Sequence, residues 1–287
     1  MSIVILACVS LLLTSCEDPV PTDYTLEVVL EGFLLVGEPL NNIRVYRTLP
    51  VTDTFSIPEA SIRDALFVVT ADGTDIPMEF TPDSLGGTYR AKDTSYRVLS
   101  GVTYNADVRA LGFTLTASSK TPPLFNWVRA PRDTFRYPGK DNELFRYDSL
   151  DIYWQAVPGV TQYILSIECL DTVAYGSYLN PQTTDTNRRL REVDLFDDGT
   201  LISSERTRYG FALQPSTPVV WNGFKWFGLH EIRAYAPDKA FLDWFRLVGF
   251  GRRNQYDYRL SNVKGGLGVW GSASVAKYRS FLLKDKP

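Results

Sequence analysis

The chain is poor in the residues that most often do chemistry. It has one His, three Cys and two Met in 287 residues. A zinc site draws about four N, S or O ligands, typically from His and Cys. So thin a supply points to no metal and no cofactor. A concentration of positive charge is lacking too. Formal net charge is −3, and the basic runs Arg188-Arg189-Leu190-Arg191 and Arg252-Arg253 have acids nearby. They read as solvated surface, and nucleic acid, which needs a concentrated basic face, is not an expected partner. Long apolar runs are also missing. The run over residues 3–13, broken by Ser10, falls well short of the ~20 apolar residues of a membrane-spanning helix. What the chain does have is aromatic: 16 Tyr, 16 Phe and 6 Trp, 13% of the whole. Aromatics suit the half-buried surface of a sheet. The length is enough for two ordinary domains.

The short apolar run has the dimensions of a secretory-signal core. Leu13-Thr14-Ser15-Cys16 follows it. This tetrad resembles the lipobox of bacterial lipoproteins, in which a Leu stands three residues before a Cys and small residues lie between. The resemblance implies a signal peptide over residues 1–15, cleavage after Ser15 and lipidation of Cys16 with palmitate-type acyl chains. Residues 16–23 then form a lipidated tether. The membrane lipid becomes a partner, and the expected location is the outer membrane. Each buried CH₂ contributes about 0.8 kcal/mol, so two or more chains anchor stably. Glu17 and Asp18 resemble the surface-export signals of Bacteroidetes lipoproteins. With Cys8 removed and Cys16 acylated, Cys169 is the remaining thiol and no disulfide framework is expected.

Beyond the tether the pattern has period two. Val102, Tyr104, Ala106 and Val108 alternate with Thr103, Asn105, Asp107 and Arg109; Gly112 ends the run and the alternation resumes at Phe113. Similar stretches begin near Leu26, Ile43 and Ala65, with turn signals such as Asp72-Gly73 between. Thr121-Pro122-Pro123 is a stiff break. The expected fold is all-β: two immunoglobulin- or fibronectin-like β-sandwich domains, over residues 24–120 and 124–287, with one short helix before the last strand. Residues 150–163 carry a Trp154, a Pro158-Gly159 turn and a Tyr163. That arrangement resembles the B–C strand pair of fibronectin type III domains. Residues 171–208 read as a long insertion. Asn222-Gly223 predicts a hairpin over residues 219–227. Asp238 reads as a helix N-cap, with Phe241, Trp244, Phe245 and Val248 on one face.

The segment Leu260-Ser261-Asn262-Val263-Lys264-Gly265-Gly266-Leu267-Gly268-Val269-Trp270-Gly271 resembles the closing motif of a Bacteroidetes lipoprotein family of unknown function. The stretches Val28-Val29-Leu30-Glu31-Gly32-Phe33 and Val98-Leu99-Ser100-Gly101-Val102-Thr103-Tyr104 are similar to other strands of that family. Its members tend to be encoded beside TonB-dependent receptors. The resemblance implies a non-enzymatic accessory role in uptake, with such a receptor as partner and a glycan or peptide as ligand. It carries over no catalytic residue. A hydrolytic or carbohydrate-binding surface protein and an adhesin-like module are the alternatives.

The residues offer little catalysis of their own. His230 shares the parity of Ile232 and Ala234, so it reads as a buried structural His. Cys169 shares a face with Leu165 and Ile167 and reads as an inert thiol. Gly265 to Gly271 lacks the Lys-Ser/Thr end of a phosphate loop and fits close packing of a final strand. Asp194, Asp197 and Asp198 lack the spacing of a calcium loop. In the expected hairpin, Trp221 faces Phe224 and Val219 faces Trp226. If this face is exposed, Trp221, Phe224 and Trp226 are the candidate binding platform for a sugar ring or an apolar partner; the plainer reading is that they are sandwich core.

Overall fold

A computed structural model describes residues 24–50, 53–54, 56–137, 151–171, 173–187, 206–219, 223–250 and 260–284. Its period-two stretches become strands close to where the alternation begins and ends. β1 (Val28–Leu35) and β2 (Arg44–Arg47) pair antiparallel. A single helical turn, α1 (Ile57–Ala60), leads into β3 (Leu66–Ala71). β3 turns into β4 (Thr74–Thr81) through Asp72 and Gly73, whose φ values are 48° and 75°. Positive φ at both positions suits a tight hairpin turn that matches strand twist. β5 (Thr88–Ala91), β6 (Thr103–Ala110) and β7 (Phe113–Lys120) complete a sheet of order β5-β4-β3-β6-β7. Along β6, Tyr104, Ala106 and Val108 are buried, while Thr103, Asn105 and Arg109 are exposed.

A second, three-stranded sheet joins β8 (Trp127–Arg129), β10 (Asp151–Trp154) and β13 (Ser216–Pro218). The remaining strands are β9 (Thr134–Arg136), β11 (Tyr163–Cys169), β12 (Thr207–Ala212), β14 (Gly228–Pro237) and β15 (Leu267–Leu283). With β1 and β2 they make a seven-stranded sheet of order β12-β11-β14-β15-β1-β2, in which β9 also pairs with β15. The helix α2 (Lys239–Phe250) connects β14 to the approach of β15. The class is all-β with one helix of more than a turn before the last strand.

The 17-residue β15 ties these pieces together. Its even-numbered residues point to one face. Trp270 is fully buried in the first core, with Leu30, Ile43, Tyr104 and Leu115. Ser272 and Ser274 meet the Pro-rich connector: Ser272 Oγ lies 3.2 Å from Lys120 O, and Ser274 donates to Pro122 O at 2.7 Å. Ala276 and Leu282 enter the second core, with Trp154, Tyr163, Phe224 and Ile232. One strand face thus reads first core, connector, second core. The Thr121-Pro122-Pro123 segment is fastened to it rather than hanging free; Thr121 itself is buried and donates to Leu99 O at 2.8 Å. The other face of the sheet is covered by α2. Phe241 and Trp244 pack on Phe33 of β1, and Phe245 packs on Phe211 of β12.

The turn of the expected hairpin, at residues 220–222, lies outside the described residues. On its C-terminal side Phe224 and Phe227 are buried in the second core.

Candidate functional site

The closing motif is the best place to start, because it carries the family resemblance. Each of its distinctive residues has a packing task. The Asn262 side chain grips the Trp270 backbone twice: Trp270 N donates to Oδ1 at 2.9 Å, and Nδ2 donates to Trp270 O at 2.8 Å. Trp270 Nε1 donates to Tyr104 O at 3.0 Å. The indole is thereby locked in the first core with its polar atom satisfied. The glycines make room for neighbouring backbone. A Cβ on Gly268 would stand 1.9 Å from Leu30 O, and one on Gly271 2.8 Å from Phe241 N. Gly32 leaves space for the Trp270 ring, 2.4 Å from where its Cβ would be. The reading of residues 265–271 as close strand packing agrees with this geometry.

The titratable candidates are also engaged in structure. His230 and Cys169 are register partners across β14 and β11, both on the second-core side. His230 Nδ1 lies 2.9 Å from Gly228 O, and the ring meets Phe224 edge to face at 5.0 Å. Burial pushes the imidazole down to about 4, so the ring is neutral at pH 7. The Cys169 thiol donates to Asp171 O at 3.2 Å. Burial pushes it up to about 11, which removes the thiolate a nucleophile needs. Asp238 caps α2 by accepting from Phe241 N at 2.8 Å, and its other oxygen accepts from Ser119 Oγ at 2.6 Å. Ser119 is itself 2.7 Å from Ser272 Oγ. This Ser-Ser-Asp group has no imidazole beside it; it bolts β7, β15 and the helix start together.

Of the aromatic platform, Trp221 lies outside the described residues, as do Ser15, Cys16, Asp194, Asp197 and Asp198. Phe224 has no exposed surface, and Trp226 is half-buried. Of the two readings of the ladder, core wall or exposed platform, Phe224 takes the first, which corrects it as a platform residue. Its ring is a wall of the second core, against Phe135 at 5.8 Å and His230, and cannot stack on a ligand.

The structure instead opens a cleft that the sequence reading missed. It lies between the two sheets of the second core, beside the edge strand β12. Its volume is about 320 Å³, and Ile152, Leu165, Ile167, Val219 and Ile232 line its interior. Two residues of β12 define the mouth. Gly210 stands opposite Leu165, and a Cβ added there would meet nothing within 4 Å. Arg208 stands opposite Ile167, on the cleft side of the sheet, and is exposed. No carboxylate among the described residues pairs with its guanidinium. The signal for β12 is present as alternation over residues 207–212, which begins at the end of the stretch expected to be a polar insertion. Nothing in that alternation tells an empty glycine from a filled one.

No family model matches the chain, and no curated protein matches it. Among solved structures it is similar to the I-band fragment I67-I69 from titin, at 10% identity over 90% of this chain and 64% of that one, with a TM-score of 0.19. It is also similar to a structure of titin domains I67-I69 in an E-to-A mutated variant, at 8% identity over 91% and 67%, with a TM-score of 0.21. The chain spans just under two thirds of the first and about two thirds of the second. Likeness at these scores carries no argument about function.

Proposed function

We propose that this chain is a lipid-anchored, non-enzymatic accessory protein of the outer membrane that works beside a TonB-dependent receptor. The observation that carries the proposal is the tetrad Leu13-Thr14-Ser15-Cys16, placed between the apolar run of residues 3–13 and the polar tether. The motif resembling the lipoprotein family supports it in a second way. Asn262, Gly268, Trp270 and Gly271 all serve to close the fold. A family signature made of closing residues fits a binding or scaffolding protein, whose specificity lies in variable surfaces. The neutral His230 and the protonated Cys169 fit the same reading, since neither is poised as a nucleophile or charged acid at pH 7.

The test is fractionation of cells expressing the full chain, with labelled palmitate in the medium. The wild type should take up label and sediment with outer membranes, and Cys16→Ala should lose both. Detergent extracts should co-purify a TonB-dependent receptor with the tagged wild type. A wild type that stays soluble, or a Cys16→Ala variant bound equally to membranes, refutes the anchor. Repeated absence of any such receptor refutes the accessory role.

A further inference from the structure

The cleft beside β12 has the attributes of a small-molecule site rather than a packing fault. We infer that it binds an amphiphile with a linear aliphatic tail and an anionic carboxylate head, the tail between the sheets and the head on Arg208. Three observations converge on this. The interior is largely aliphatic: Ile152, Leu165, Ile167, Val219 and Ile232 line it, and the Thr217 hydroxyl beside them is turned to Pro218 O. The volume, about 320 Å³, sits at the low end of the ~300–1,000 Å³ typical of ligand pockets. At ~30 Å³ per methylene-sized unit, taking water's share of liquid volume as the measure, it holds about ten carbons. The mouth is cationic, with Arg208 on the cleft face and no carboxylate beside it among the described residues. A guanidinium fork matches a carboxylate bidentately.

Gly210 makes the site testable. It leaves the row Ala234–Leu165–Gly210 across β14, β11 and β12 with small residues at both ends. Its backbone is outside the left-handed region, and a Cβ there meets no atom of the described residues within 4 Å. A side chain at this position therefore starts into open space on the cleft side. That property separates occupancy from folding. The inference stands apart from the anchoring proposal, since it concerns only described strands and predicts the same result whether or not Cys16 is acylated.

The experiment uses the purified full chain, as wild type and as Cys16→Ala, and a photoreactive diazirine analogue of decanoate. Crosslinks should map by mass spectrometry to residues 151–154, 163–169 and 207–212, and free decanoate should compete them away. Decyltrimethylammonium, with the same tail and the opposite charge, should not compete. Arg208→Gln should weaken decanoate competition roughly tenfold, the scale of one charge-assisted contact at a partly exposed site. Gly210→Leu should abolish labelling, and Gly210→Ala should reduce it. Thermal unfolding of each variant confirms that it is folded; if Gly210→Leu is not, Gly210→Ala and Arg208→Gln carry the test. Labelling spread over other strands, equal competition by the cationic amphiphile, or full labelling of folded Gly210→Leu overturns the inference.

Discussion

The two cores treat a glycine in a strand in opposite ways. In the first, Gly32 on β1 faces Trp270, and the indole occupies the space that a Cβ would need. In the second, Gly210 on β12 faces open space. Both positions lack a side chain, yet one is among the most tightly filled sites in the molecule and the other is the mouth of a cavity. The difference comes from what the opposing surface provides. Trp270 is held over Gly32 by Asn262 on its backbone and Tyr104 O on its ring nitrogen. At Gly210 no such ring arrives: a Cβ there meets no atom of the described residues within 4 Å, and Ile152 and Val219 line the cleft beside it. A strand glycine is therefore a statement about its neighbour, and only the tertiary structure says whether the neighbour has arrived.

The largest effect should come from opening the closed core. Trp270→Ala deletes a fully buried indole and its hydrogen bond to Tyr104 O. The expected loss is about 3–5 kcal/mol in urea unfolding. If the loss is below about 1 kcal/mol, the first core is no better closed than the second.

Next in size is a pH effect confined to the second core. The folded His230 imidazole, at about 4, lies below its ordinary 6.5. The neutral ring is favoured by the fold, so this contribution is fully present above pH 6.5 and is lost as pH falls through 6.5 toward 4. The shift corresponds to a loss on the order of 3 kcal/mol across that window. Amide hydrogens of β11 and β14 should lose protection over it before those of β3 and β6. His230→Phe should remove the pH dependence; an unchanged acid limb would show that another group sets it.

The matched glycine pair gives the sharpest and smallest effects. Gly32→Ala should destabilise by about 1–3 kcal/mol, because its Cβ would overlap the Trp270 ring. That penalty should vanish in a Trp270→Ala background, which a double-mutant cycle reads directly. Gly210→Ala should raise stability by about 0.5–1 kcal/mol, since it restricts the unfolded chain and meets no atom in the fold. Equal penalties at the two positions would erase the contrast between the cores.

Much of the fold is legible in local pattern. The alternation from Val102 to Ser118 gives β6 and β7, and Asp72-Gly73 gives the turn between β3 and β4. Asp238 followed by Phe241 and Phe245 gives α2, because a cap and an apolar stripe are both local signals. Trp154 and Tyr163 do meet, edge to face at 5.2 Å, as the fibronectin-like stretch implies. Three things leave no local trace. The parallel pairing of β1 with β15 joins Val29 to Leu267, and periodicity says nothing about partners so far apart. The burial of Phe224 is not marked either, because its alternation fits a core wall as well as an exposed ladder. The cleft is invisible because Arg208 and Gly210 look like any exposed strand residues until the opposing sheet is placed.

The β1–β15 pairing also sets an order of events. Residues 267–273 lie far along the chain from β1. Until the two meet, Gly32 has no indole to receive and the first core lacks a wall, even where its other strands have paired. Closing a contact over so long a stretch of chain is entropically costly and slow. The first core must therefore wait, half-assembled and apolar, for β15. The interval before β1 and β15 meet, wherever the chain folds, is when its apolar strand faces are most open to aggregation.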